Sequence, residues 1–116
     1  HYATWVMQGI KKIETRSRRF NFSGDIVICC GNKSVTENAG KALCIVHFDK
    51  PRPMTDEDAE AACIENAIGR IAYDITNVRE FDYKFKFTDY VVNKNFQGIF
   101  SVQIPDFAFK YKPSQT

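Results

Sequence analysis

Five residues between positions 11 and 16 hold most of the chemistry this chain offers: Lys11, Lys12, Glu14, Thr15 and Arg16. A lysine beside a carboxylate can be a plain ion pair or a grip for phosphate. If buried, it can instead be an amine tuned toward neutrality that serves as a base. The spacing leaves all three open. Arg18 and Arg19 extend the run, so five basic residues from Lys11 to Arg19 stand against Glu14 alone. Such a patch attracts phosphates over a Debye length of roughly 8 to 10 Å. The plainer reading is a solvated edge strand whose charges discourage sheet-to-sheet association.

Signatures of other chemistries are missing. The chain has no G-x-G-x-x-G or Walker loop, no H-E-x-x-H and no G-x-S-x-G. Its two histidines are His1 and His47, the latter within a strand pattern, which makes a Ser-His-acid triad a poor bet. Cys29, Cys30, Cys44 and Cys63 form no C-x-x-C pair, and adjacent Cys29 and Cys30 on a strand point to opposite faces. They read as reduced, mostly buried thiols. No metal or cofactor is expected, and a reducing cytoplasm is the expected compartment.

The elements that position the Lys11–Arg16 run follow from periodicity. Tyr2 to Gln8 can form a short helix that Gly9 stops. Ile10 to Arg16 alternates, setting Lys12, Glu14 and Arg16 on one strand face and Lys11, Ile13 and Thr15 on the other. Glu14 and Arg16 can therefore brace each other or contact a ligand. A basic loop, Ser17 to Gly24, leads to an apolar strand over Ile26 to Cys30, expected to be buried on both sides. A polar loop then precedes a strand over Lys41 to Phe48.

Pro51 and Pro53 break the sheet, and Thr55 caps an acidic helix that Gly69 stops. Strands are expected over Arg70 to Phe81 and Ile99 to Ile104, with aromatics and lysines alternating from Tyr83 to Phe87. The tail from Lys110 reads as loose.

The whole chain agrees with one domain, core about 2–104 and polar tail 106–116. Its 116 residues are 44% hydrophobic, 26% charged and 14% aromatic, which excludes a disordered chain. No apolar run approaches the roughly 20 residues of a membrane helix. The net charge is only +2, because the cationic run is offset by Asp56, Glu57, Asp58 and Glu60. With no β-α-β alternation, the expected fold is α+β: a small mixed β-barrel carrying one short N-terminal helix and one acidic helix.

Gly9-Ile10-Lys11-Lys12-Ile13-Glu14-Thr15-Arg16-Ser17 resembles the G-x-K-x-x-E-x-R signature of the ASCH domain family, relatives of the PUA-like RNA-binding domains. The aromatic-rich helix before Gly9, the Gly24-Asp25-Ile26-Val27-Ile28 turn and strand, Asn77-Val78-Arg79 and Gln97-Gly98-Ile99-Phe100 extend the similarity over roughly Tyr2 to Ile104. The resemblance implies a PUA-like pseudobarrel whose cleft, lined by signature residues, holds RNA or a nucleobase. Family members commonly begin with a strand ahead of the helix, which here would precede His1.

Lys11, Lys12, Arg16, Arg18 and Arg19 would then neutralise phosphates, with Glu14 at the ligand. Tyr2, Trp5 or Tyr73 would stack a base if exposed, with core packing the alternative, favoured for Trp5. Some small family members resemble amidohydrolases of N4-acetylcytidine, which use a signature Lys, a Thr three residues later and a downstream Glu. Lys11 fits. Glu14 occupies the Thr position and Thr15 follows it, while the acid would fall near Ala62, between Glu60 and Glu65.

Three functions follow. The first is an RNA- or nucleotide-binding module. The second is a small hydrolase of a modified nucleoside or RNA using Lys11, Glu14 and Thr15. The third is a protein-interaction domain presenting the acidic helix 55–67.

Overall fold

The computed structural model describes residues 2–17, 22–31, 37–94 and 100–109. Arg18, Arg19, the Gln97–Ile99 stretch and the tail from Lys110 lie outside the described residues.

Helix α1 spans Tyr2–Met7 and ends in a Schellman turn. Gly9 adopts φ +76°, donates its N–H to the Val6 carbonyl (3.1 Å), and is followed by Ile10 donating to the Trp5 carbonyl (2.8 Å). The left-handed φ is the reason glycine stands there. This turn occupies residues that the alternation assigned to a strand, so strand β1 begins only at Ile13 and runs Ile13–Arg16.

Strands β2 (Gly24–Cys29), β3 (Ala42–Phe48), β4 (Arg52–Pro53) and β5 (Ile71–Glu80), with helix α2 (Asp58–Ala62) before β5, complete the main sheet. Its order is β1-β5-β3-β2, with β4 also on β5. Every one of these pairings is antiparallel, so the sheet of this α+β chain is not mixed as expected but a curled antiparallel half-barrel. The physical reason is helix length: a parallel crossover carries the chain back along a strand, and the five-residue α2 spans only about 7.5 Å.

The curl has a local cause in β5. His47 pairs with Thr76 but Ile45 with Arg79, so β5 carries one extra residue, and Asn77 there takes φ +53°. A bulge of this kind bends its strand. It lets the first half of β5 serve β1 and β4 while the second half serves β3.

Burial sorts the strands differently from their apolar runs. Among the described residues β2 pairs with β3 alone, and it is half-buried rather than covered on both sides. The central strand β3 is the one buried almost throughout, Ala42 to Val46 and Phe48. Pro53 does not break the sheet. Short β4 pairs with β5 along one side only, a position that a residue without an N–H tolerates. The acidic helix is shorter than expected: Cys63, at φ 60°, ends it six residues before Gly69. Thr55 does not cap it with its side chain; its N–H and hydroxyl instead donate to the Asp58 carboxylate (2.8 and 3.1 Å).

Past β5, Tyr83–Phe87 forms no strand. A single bridge joins Lys86 to Lys41, and a 3-10 turn follows over Phe87–Tyr90. β6 (Val91–Lys94), unmarked by periodicity, pairs with β7 (Phe100–Val102) as a separate hairpin.

Three apolar clusters hold these layers. α1, β3 and β5 meet around Val6, Leu43, Phe48 and Tyr73. Ala42, Phe81 and Phe85 anchor the C-terminal segment. Ala62 of α2 packs on Ile13 and Ala72, which seats the helix against β1 and β5. No helix among the described residues is long and apolar enough to cross a membrane.

Candidate functional site

The Schellman turn delivers Lys11 into the sheet rather than to solvent, and the side chain is 3% exposed. A buried ammonium needs partners. It donates to the carbonyl of Ala62 at the end of α2, lies 3.9 Å from Oε1 of Glu14, and stands 4.8 Å from the centroid of the Tyr2 ring. Burial lowers the Lys11 pKa; Glu14 and then Cys63 oppose that shift, while Arg70 adds to it.

Glu14 and Arg16 share one face of β1, as a period of two requires, and Lys11 joins them because residues 11 and 12 precede the strand. All three open onto a cavity of about 650 Å³. That is within the range of roughly 300 to 1,000 Å³ common for small-ligand pockets. Tyr2 and Phe22 contribute rings to its wall, and every residue from Asp25 to Gly31 lines it. Successive strand residues face opposite sides, so a cavity touching all of them runs along the edge of β2 that no described strand pairs with.

A shallower cleft of about 460 Å³ adjoins it, sharing Tyr2, Lys11, Glu14 and Arg16 and adding Thr15 and Arg70. The Arg70 guanidinium donates to the Thr15 hydroxyl through Nε and Nη2 (3.0 and 2.7 Å). Arg70 carried no motif. Its place follows from register, since Arg16 pairs with Ile71 and so brings Arg70 to the end of β1.

Other expected site residues go elsewhere. Lys12 is exposed and lines neither cavity; its backbone instead ties α2 to the sheet, N–H to Ala61 (2.7 Å) and carbonyl to Ile75 (3.0 Å). Tyr73 cannot stack a base, because it is fully buried against Phe48 with ring centroids 5.8 Å apart. Tyr2, 54% exposed, is the most exposed of the aromatics lining the cavity, while Trp5 beside it is half-buried. Glu60 and Glu65 are exposed and line neither cavity.

Two further charge clusters flank the site. Arg52 reaches Asp58 and Asp74 with two hydrogen bonds each, at 2.7 to 3.0 Å, and fixes α2 against β4 and β5. Its guanidinium holds the Asp58 carboxyl below the usual carboxylate range. On the other side, Asp25 meets His47 Nδ1 (3.2 Å) and Arg79 (3.0 Å), and both bonds, His47 foremost, lower its pKa. Among the described residues no three His, Cys, Asp or Glu side chains converge to hold a metal.

A scan against protein-family models matches none of them, and a search of the curated proteins finds no match.

Proposed function

We propose that the chain is an RNA- or nucleotide-binding module of the ASCH type. The observation that carries this reading is the buried Lys11 ammonium, held by Ala62 and Glu14, at the wall of a cavity that also receives Arg16 and the Tyr2 ring. Cations neutralise phosphate and an exposed ring can stack a base, so these groups match the two halves of a nucleotide. The curled sheet, with its cleft along the edge of β2, supports the finer reading of a PUA-like pseudobarrel. Four cysteines free of disulfides support a reducing, cytoplasmic setting.

Equilibrium titration with nucleoside monophosphates and short single-stranded RNA, over a series of salt concentrations, tests the reading. Affinity should fall with salt and drop at least tenfold in Lys11→Met and Arg16→Ala. Binding indifferent to both salt and substitution would remove the proposal.

One observation favours hydrolysis of a modified nucleoside as a second reading: burial pushes Lys11 toward the neutral amine that a base requires. Against it, the Thr15 hydroxyl is engaged by Arg70, and no second acid among the described residues joins Glu14 at Lys11. Incubation with N4-acetylcytidine decides it, with cytidine followed by chromatography. Product lost in Lys11→Ala supports the reading, and product retained there ends it.

A further inference from the structure

Lys41 and Lys86 oppose each other as an isolated antiparallel bridge. The hydrogen bonds around them run from Ala42 N–H to the Phe85 carbonyl (2.8 Å) and from Phe87 N–H to the Gly40 carbonyl (3.2 Å). Bonds on the flanking residues define a non-hydrogen-bonded pair, the kind with the closest side chains. Like charges directly opposite destabilise a sheet. Neighbouring Lys84 resolves its charge on Glu80 at 2.8 Å, whereas neither Lys41 nor Lys86 meets a carboxylate among the described residues.

Neither lysine lines the cavity, but residues beside them do. Cys30, Gly31 and Phe87 are in its wall, Cys30 donates its N–H to the Lys41 carbonyl (2.8 Å), and Phe87 follows Lys86. Lys11 and Glu14 line the same cavity. The register fixes the separation: the Lys12 carbonyl accepts from Ile75 N–H, Ile75 lies opposite Phe48, and Lys41 is seven residues from Phe48 along β3. At about 3.3 Å per residue Lys11 and the lysine pair are on the order of 20 Å apart. One nucleotide cannot reach both.

We infer that Lys41 and Lys86 form a second phosphate-binding subsite, and that the ligand is a single-stranded oligonucleotide lying along the edge of β2. The inference rests on the nucleotide-binding reading and adds to it a second phosphate subsite and a minimum ligand length. Cations at both positions and the exposed Tyr2 ring favour a nucleic acid strand over a peptide, whose backbone carries no charge to meet them.

The experiment compares a nucleoside monophosphate with oligoribonucleotides of two to eight residues, measured on the full chain by calorimetry and fluorescence anisotropy. Affinity should rise at least tenfold between monophosphate and hexamer. Lys41→Ala/Lys86→Ala should weaken the hexamer about tenfold and leave the monophosphate unchanged. It should also flatten the salt dependence by about 1.4, or about 0.7 for each phosphate that is no longer neutralised. The double variant should melt no lower than the parent, since it relieves a repulsion. Equal affinity for monophosphate and hexamer, or a hexamer indifferent to the double substitution, overturns the subsite while leaving the mononucleotide reading intact. Loss of both ligands together also overturns it, and so does competition by an acidic peptide as effective as the hexamer. Absence of binding by any nucleotide defeats the underlying reading instead.

Discussion

The Lys11 ammonium lies 3.9 Å from the Glu14 carboxylate with the lysine 3% exposed and the glutamate 35% exposed, so the two share the cavity wall but only the glutamate is open to solvent. A strand running from Ile10 would have set them on opposite faces. They meet because the turn after α1 occupies residues 9 to 12 and the strand starts at Ile13. The requirement at this point is a left-handed residue at position 9, and the rest of the site follows from it.

Lys11 makes stability depend on pH in a definite direction. Its folded-state pKa lies below the ordinary 10.5, so between those values the unfolded chain binds more protons than the native one. Stability then rises with pH across that window, up to about 10.5. Denaturant unfolding from pH 7 upward should show this rise in the parent and not in Lys11→Met. Parallel curves would mean that Lys11 is solvated.

Arg52 acts on the site from a distance, because α2 supplies the Ala62 carbonyl that holds Lys11. Arg52→Ala should cost about 2 kcal/mol, the worth of its charged hydrogen bonds to partners that are partly exposed. Arg52→Lys should recover less than half, since it cannot form the paired bonds. Asp58, held below its ordinary 3.8 by Arg52, contributes stability above that pH and loses it as the pH falls further. Guanidinium unfolding of the three proteins at pH 7 and pH 3 measures both effects, and the gap between parent and Arg52→Ala should narrow in acid.

Asn77 carries the bend of β5 at φ +53°. Asparagine tolerates this region and a β-branched residue does not. Asn77→Val should lower stability by about 1 to 2 kcal/mol, whereas Asn77→Gly should change it by less than about 0.5. Thermal unfolding of the pair distinguishes a bulge from a regular strand, in which valine would be the better residue.

Burial raises the thiol of Cys29 to about 12 and that of Cys44 to about 11. Thiolate is the reactive form, so both should resist alkylation at pH 8 in the folded protein and react once it is denatured. Peptide mass spectrometry after iodoacetamide treatment reads this directly. Adducts on Cys29 or Cys44 under native conditions would contradict the burial.

Much of this organisation was legible in the residues. Gly9 marks the end of α1, the alternation of Glu14 and Arg16 gives their shared face, and Ile71, Tyr73 and Ile75 mark β5. Three things were not. Periodicity placed Lys11 opposite Glu14, because alternation has meaning only inside a strand and Lys11 lies outside one. It could not tell Tyr73 in the core from Tyr2 at the cavity, since both are aromatics in patterned segments and only tertiary packing sorts them. Arg70 and the Lys41–Lys86 pair depend on register between distant strands, which local sequence does not encode.

A 1H–15N chemical-shift map recorded while single-stranded RNA is added at low salt decides whether the Lys11 cavity binds a nucleotide. Shifts should cluster on Tyr2, Lys11, Glu14, Arg16 and the Asp25–Gly31 edge, and should collapse in Lys11→Met. An unmoved spectrum, or changes confined to the acidic Asp56–Glu60 surface, would contradict binding there.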